Sequence, residues 1–105
     1  MTHAADIIFE QIKTLDPMAM YDWGAMYQPK VRMKKADMEA LRIKSSLNVA
    51  WKGFIDIMYN RGTDAYIIEF VKVRAGKVKV CKRVEDVYAD MMVSIIDEVV
   101  LKGEL

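Results

Sequence analysis

Apolar residues recur at helical spacing near both ends of the 105-residue chain. Over residues 4–15 the apolar stripe repeats at intervals of three and four: Ala5, Ile8, Phe9, Ile12 and Leu15. A wider stripe over residues 85–102 consists of Val87, Met91, Met92, Ile95, Ile96, Val99 and Val100. This spacing predicts an amphipathic helix at each end. The first helix ends at Asp16, because the residue before a proline is disfavoured in the α conformation.

Three runs rich in β-branched and aromatic residues lie between the two helices. They span residues 49–59, 65–74 and 77–83. Turn-forming residues separate them, at 60–63 and at Ala75-Gly76. Because short connections make neighbouring strands antiparallel, the pattern predicts a β-meander. In the last run Val78 and Val80 face one way, whereas Lys77, Lys79 and Cys81 face the other.

Residues 17–44 give a weaker pattern. Lys30, Arg32 and Lys34 alternate with apolar residues, which favours a short edge strand or an extended arm. Residues 41–44 alternate in the same way and predict a second short strand. Residues 18–23 fit either a short helix, with Pro17 at its first position, or a strand.

These elements predict one α+β domain over residues 1–105. Its expected architecture is a two-layer sandwich, in which an antiparallel meander of four to five strands carries the N- and C-terminal helices on one face. The basic side chains are expected on the other face. The Met-rich stripe of the last helix is wide for one small sheet, so a homodimer that buries the remainder is a further hypothesis.

Charge is distributed unevenly, although the net charge is only +1. Residues 28–83 contain fourteen Lys/Arg and five Asp/Glu, whereas the flanking segments are acidic. The candidate nucleic-acid-binding residues are six basic residues of the strands: Arg42, Lys44, Lys72, Arg74, Lys77 and Lys79. Lys52, Lys82 and Arg83 extend this basic set, and Trp51, Tyr59 and Tyr66 are candidate base-stacking residues. The alternative is that the cations only solvate the outer face while the aromatic rings lie in the core.

Residues suited to catalysis or metal binding are scarce. The chain has a single histidine, His3, and a single cysteine, Cys81, which exclude an intrachain disulfide and leave no zinc site. The five glycines are scattered and form no phosphate-binding loop. We therefore predict no catalytic, cofactor-binding or metal-ligating residue, and a protein that is not an enzyme.

Nothing in the sequence indicates a membrane protein. No apolar run approaches the roughly 20 residues that cross a bilayer. The first six residues lack the basic start and apolar stretch of a secretory signal. We expect a cytoplasmic protein without a membrane partner.

Three segments of the C-terminal half carry a family resemblance: residues 63–70 (TDAYIIEF), 73–77 (VRAGK) and 84–90 (VEDVYAD). Their Tyr-x-x-Glu-Phe strand, Arg-x-Gly turn and Glu-Asp-Val-Tyr-Ala-Asp helix start resemble a family of short proteins encoded by tailed phages and prophages. The resemblance implies a viral or prophage origin, hence a host-cell cytoplasm, and an α–β-meander–α fold. It implies no activity. Weaker counterparts lie at residues 23–25 and 41–43, and the one at 23–25 favours a strand over residues 18–23.

Three functions are compatible with these features. The favoured hypothesis is a phage or prophage accessory protein that binds a protein partner, for example a host protein. The alternative is a nucleic-acid-binding module that uses the basic sheet face. A third hypothesis is a dimeric domain that binds a small molecule between its subunits.

Overall fold

The computed structural model describes residues 3–27 and 30–105. Its helices are α1 (Ala4–Leu15), α2 (Ala19–Asp22) and α3 (Met92–Val100), and a 3-10 helix at Ala89–Met91 precedes α3. Its strands are β1 (Val31–Lys35), β2 (Met38–Ser45), β3 (Gly53–Asn60), β4 (Ala65–Arg74) and β5 (Lys77–Val87).

The five strands form one antiparallel sheet in the order β1-β2-β3-β4-β5, so the predicted meander is confirmed. Two-residue turns join β1 to β2 and β4 to β5. Both residues of each turn have positive φ, at Ala36-Asp37 and at Ala75-Gly76. This backbone geometry matches the right-handed twist of the strands that it connects. β3 begins at Gly53, four residues later than predicted.

Both terminal helices pack on the same face of the sheet, and the predicted two-layer α+β arrangement is confirmed. The largest buried side chains of this core are Ile8, Ile12, Trp23, Ile43, Ile55, Ile57, Ile68, Phe70, Met92 and Ile96. Within the described residues, no helix has the length and apolar character that crossing a lipid bilayer requires.

Residues 18–23 are helical, so the strand favoured by the resemblance is wrong. α2 places Ala19, Met20 and Trp23 on its buried side, a spacing that an alternating strand would split between two faces. The Trp23 indole Nε1–H donates to Asp97 Oδ1 of α3 at 2.7 Å. This tertiary contact selects the helix over the strand.

The C-terminal helix begins later than predicted, because residues 85–87 belong to β5. Val87 is buried and pairs with Tyr66 of β4. The register shifts between Tyr66 and Ile68, and Asp86 has a φ of 54°, as in a bulged strand. The strand therefore ends at Val87, and α3 is shorter than the apolar stripe.

The face opposite the helices is more buried than expected for a solvated surface. Ala40, Met58 and Ile67 form a second apolar cluster there, flanked by Met33 and Met38. The expectation that this face carries mainly basic side chains is therefore wrong. This face of the sheet carries a small apolar cluster and a network of ion pairs.

Candidate functional site

A notch opens where the β4–β5 hairpin extends past the start of β3. The β3–β4 pairing begins at Phe54 with Val71, so residues 72–74 have no strand partner on the β3 side. The gap is bordered by the end of β2, the segment that leads into β3, and the projecting hairpin. The gap forms a surface cavity, open to solvent, of about 930 Å³.

Six basic residues line this cavity, which we call the basic notch: Lys44, Lys52, Lys72, Arg74, Lys77 and Lys79. None of the acidic residues within 3–27 and 30–105 lines it. Within the described part of the chain, none of the six lies within ion-pair distance of a carboxylate. Cations that converge without counter-charges repel one another, and a bound anion relieves that repulsion.

Apolar and aromatic groups form the rest of the notch. Phe54, Val73 and Val78 line it together with the cations. The Lys44 ammonium lies 5.7 Å from the centre of the Phe54 ring, a cation–π distance. The Lys72 ammonium lies at the same distance from the Trp51 ring. The charged ends of these two lysines thus lie over aromatic rings at the border of the notch.

Five of the six predicted nucleic-acid-binding residues line the notch; the exception is Arg42. Their placement differs from the prediction. Lys72 and Arg74 alternate with Val71 and Val73, and their register with Phe70 places them on the helix side of the sheet. Lys77 and Lys79 pair with these two residues, so the four hairpin cations lie on the helix side, beyond the helix-covered core. Lys44 alternates with the buried Ile43 and therefore lies on the opposite face.

Arg42 is held by a buried carboxylate instead. Its guanidinium donates two hydrogen bonds to Asp56, from Nε to Oδ1 at 2.7 Å and from Nη2 to Oδ2 at 2.8 Å. Lys35 Nζ lies 2.9 Å from Asp56 Oδ2 and 2.6 Å from Glu69 Oε1. Arg83 pairs with Glu69 and, at 3.3 Å, with Glu85. We call these six residues the ion-pair network.

The network also shows that the sheet is curved. Lys35 lies on β1 and Glu69 on β4, three strand spacings away, or about 14 Å on a flat sheet. Their side chains meet because the β1–β2 hairpin curls over the face opposite the helices. This curvature encloses Asp56 and Glu69, which explains the unexpected burial of that face.

The two buried carboxyl groups of the network, those of Asp56 and Glu69, have lowered pKa values. Burial raises the pKa of Asp56, but hydrogen bonds from Arg42 and Lys35 outweigh burial and leave the pKa below its ordinary value. Burial also raises the pKa of Glu69, and hydrogen bonds from Lys35 and Arg83 lower it further than burial raises it. The network contains three cations and three carboxylates, so its net charge is zero. We therefore interpret it as a structural element.

The three predicted stacking residues do not line the notch. Trp51 is buried edge-on against Phe70, with ring centres 5.6 Å apart. The Tyr66 hydroxyl donates to Gln11 of α1, and the Tyr59 hydroxyl donates to Asp64. Lys82 and Arg83 are also outside the notch, since Lys82 donates to the Glu104 carbonyl and Arg83 belongs to the ion-pair network.

Sequence reasoning missed an exposed group of apolar residues next to the notch. We call it the tyrosine patch, and it consists of Tyr21, Met26, Tyr27 and Leu47. These residues border a second cavity of about 310 Å³. Ser46 lines both this cavity and the basic notch, so the two surfaces adjoin. The patch lies partly in the segment whose secondary structure the sequence left open.

No metal centre is formed by the described residues, in which His, Cys, Asp and Glu side chains are not grouped in threes as ligands. His3 Nδ1 lies 3.9 Å from Glu39, and Cys81 packs beside the helix-side core.

Comparison with known proteins gives no family assignment: no family model matches the chain, and no curated protein or solved structure is significantly similar to it.

Proposed function

We propose that this protein binds a nucleic acid through the basic notch. One observation carries the proposal: among the residues described by the structure, six cations and no carboxylate line one cavity. Surface lysines that only confer solubility are normally interspersed with acidic residues. A phosphate backbone offers a row of negative charges, and binding it releases condensed counterions, which drives association.

The composition of the notch favours contacts with the phosphate backbone of a nucleic acid over recognition of its bases. Five of its six cations are lysines, which bind phosphates as point charges. Among the residues that the structure describes, no Asn or Gln lines the cavity. Contacts of this type position a nucleic acid without selecting its sequence. We therefore expect sequence-tolerant, salt-sensitive binding.

The test is fluorescence anisotropy with labelled 20-nucleotide DNA and RNA at 50 mM and 200 mM salt. The triple variant Lys72→Gln/Lys77→Gln/Lys79→Gln is expected to weaken binding at least tenfold. It is also expected to reduce the slope of log affinity against log salt by about 2, since each lost phosphate contact contributes about 0.7.

A matched control removes three lysines elsewhere: Lys13→Gln/Lys34→Gln/Lys102→Gln, none of which lines the notch. Both triple variants lower the net charge equally. Equal losses of affinity in the two variants would mean that bulk charge alone attracts the nucleic acid. Equal losses, or no binding by the unmodified protein at 50 mM salt, would refute the proposal.

A protein partner is the second proposal, and an apolar surface on α1 favours it. Ile7 and Leu15 are both more than two-fifths exposed and line a cavity of about 500 Å³ beside Ala89. Asp6, Glu10 and Asp90 border this cavity, so a partner with apolar and basic side chains fits it. The phage or prophage origin implied by the resemblance makes a host protein one such partner.

This second proposal predicts position-dependent cross-linking. A photoreactive phenylalanine analogue in place of Ile7 is expected to capture one defined protein in host lysate. The same analogue in place of Tyr88, which is exposed and does not line the cavity, should capture far less of it. Equal capture at both positions would refute a docking surface on α1.

A further inference from the structure

Two hydrogen bonds join the segment that carries the tyrosine patch to the end of β2, beside the basic notch. Ser46 Oγ donates to the Gly24 carbonyl at 2.6 Å, and the Ser46 backbone N–H donates to the Trp23 carbonyl at 3.2 Å. Gly24 has a φ of 68°, and a Cβ at this position would lie 1.9 Å from the Ser46 carbonyl oxygen. Only glycine permits this approach, which fixes the end of α2 beside the end of β2.

The side chains of the patch are unusually exposed for apolar groups. Tyr27 is 89% exposed, Leu47 is 70% exposed and Tyr21 is 61% exposed. Leu47 has a φ of 67°, an uncommon conformation for a residue with a large side chain. Contiguous exposed apolar surface on a small protein marks a contact site.

We infer that the bound nucleic acid is single-stranded, with its phosphates in the basic notch and unpaired bases stacked on Tyr21 and Tyr27. This inference rests on the nucleic-acid binding proposed above and specifies the class of ligand. In a duplex each base face is covered by the neighbouring base pair, so the two tyrosine rings cannot stack on it. In a single strand the bases are unpaired, so they can turn outward and stack on aromatic rings.

Charge complementarity selects this occupant for the patch. An apolar surface alone fits many partners. The cavity of the patch is lined by one acidic residue, Asp22, but it continues into the basic notch, whose charged residues in the described part of the chain are all cationic. A single strand combines both properties, because it presents anionic phosphates on one side and apolar base faces on the other. Adjacent lysines and exposed aromatic rings are the usual combination of sequence-tolerant single-strand sites.

The inference is tested by comparing single-stranded DNA, single-stranded RNA and duplex DNA of equal length. The unmodified protein is expected to bind at least one of the single strands more tightly than the duplex. Tyr21→Leu/Tyr27→Leu keeps apolar side chains but removes both rings, and it is expected to weaken single-strand binding about tenfold or more. Duplex binding should change less than twofold.

Two further variants control for indirect effects. Tyr88→Leu removes an exposed tyrosine that lines neither cavity and should leave single-strand affinity unchanged. Tyr27→Trp retains a stacking surface, so it should preserve affinity, and its fluorescence should be quenched when a base stacks on it. Trp23 and Trp51 are buried and contribute a constant background.

The outcomes separate this inference from the proposed function. If the lysine triple variant loses binding while the double tyrosine variant binds single strands normally, the notch binds phosphates and the stacking inference is overturned. Equal affinity for duplex and single strands would overturn it as well. Absence of binding to all three nucleic acids would overturn both.

Discussion

Trp23→Ala is expected to lower the free energy of unfolding by about 3–5 kcal/mol, the usual cost of removing a large aromatic side chain from a core. Trp23 is completely buried, and it joins α2 to α3 through its hydrogen bond to Asp97. α2 has only four residues, too few to be stable without tertiary contacts. Urea unfolding followed by circular dichroism measures the loss.

Two variants of the same helix test this explanation. Trp23→Phe retains an aromatic ring but loses the indole N–H, so it should cost less than Trp23→Ala. Tyr21→Ala removes an exposed ring two residues away and should change stability by no more than about 0.5 kcal/mol. If Trp23→Ala cost as little as Tyr21→Ala, α2 would not be anchored by its tryptophan.

The same anchor matters for the proposed ligand site. The Trp23 carbonyl accepts a hydrogen bond from Ser46, and the next residue, Gly24, allows the close approach of the two segments. Loss of the anchor therefore releases the tyrosine patch from the basic notch. Trp23→Ala should weaken single-strand binding even under conditions where the variant remains folded.

The regular part of the fold could be predicted from periodicity alone. α1 has the predicted bounds Ala4–Leu15, because Ala5, Ile8 and Ile12 of its apolar stripe are buried against the sheet. β4 has the predicted bounds Ala65–Arg74, since turn residues precede and follow it. In such segments local propensity and tertiary burial favour the same structure, so the local pattern is sufficient.

The errors occur where a distant residue determines local structure. Residues 18–23 fit two patterns equally, and the choice depends on Asp97, which lies 74 positions further along the chain. Val87 fits the helical stripe that follows it, but its pairing with Tyr66 places it in β5. Positions of this kind need the tertiary structure, because their own neighbours in the sequence do not distinguish the alternatives.

The charge pattern of the sequence predicted most residues of the candidate site, but it did not predict where they lie on the sheet. Five predicted cations line the basic notch because they surround one hairpin and the strand end beside it. Arg42 has the same alternating context as Lys44, yet it faces Asp56 of β3 in the register of the sheet. Opposite charges on neighbouring strands are recognised only when that register is known.

The Asp56–Arg42 pair leads to the second large expected effect. Asp56 has no solvent exposure and accepts hydrogen bonds from two cationic side chains, Arg42 and Lys35. Asp56→Asn keeps the shape but removes the counter-charge, so we expect a loss of about 3 kcal/mol of unfolding free energy at pH 7. Glu85→Gln removes a largely exposed partner of Arg83 and should cost less than about 1 kcal/mol.

The dependence on pH distinguishes an electrostatic cause from a packing cause. Because the pKa of Asp56 is lowered in the folded protein, its contribution is present above the unfolded-state value of about 4 and is lost as the pH falls through the lower folded value. Urea midpoints measured between pH 7 and pH 2 should therefore converge for the unmodified protein and Asp56→Asn at acid pH. If the difference between the two urea midpoints stays constant over this range, the amide disturbs packing. The curved face would then be stabilised by side-chain packing rather than by the charge of Asp56.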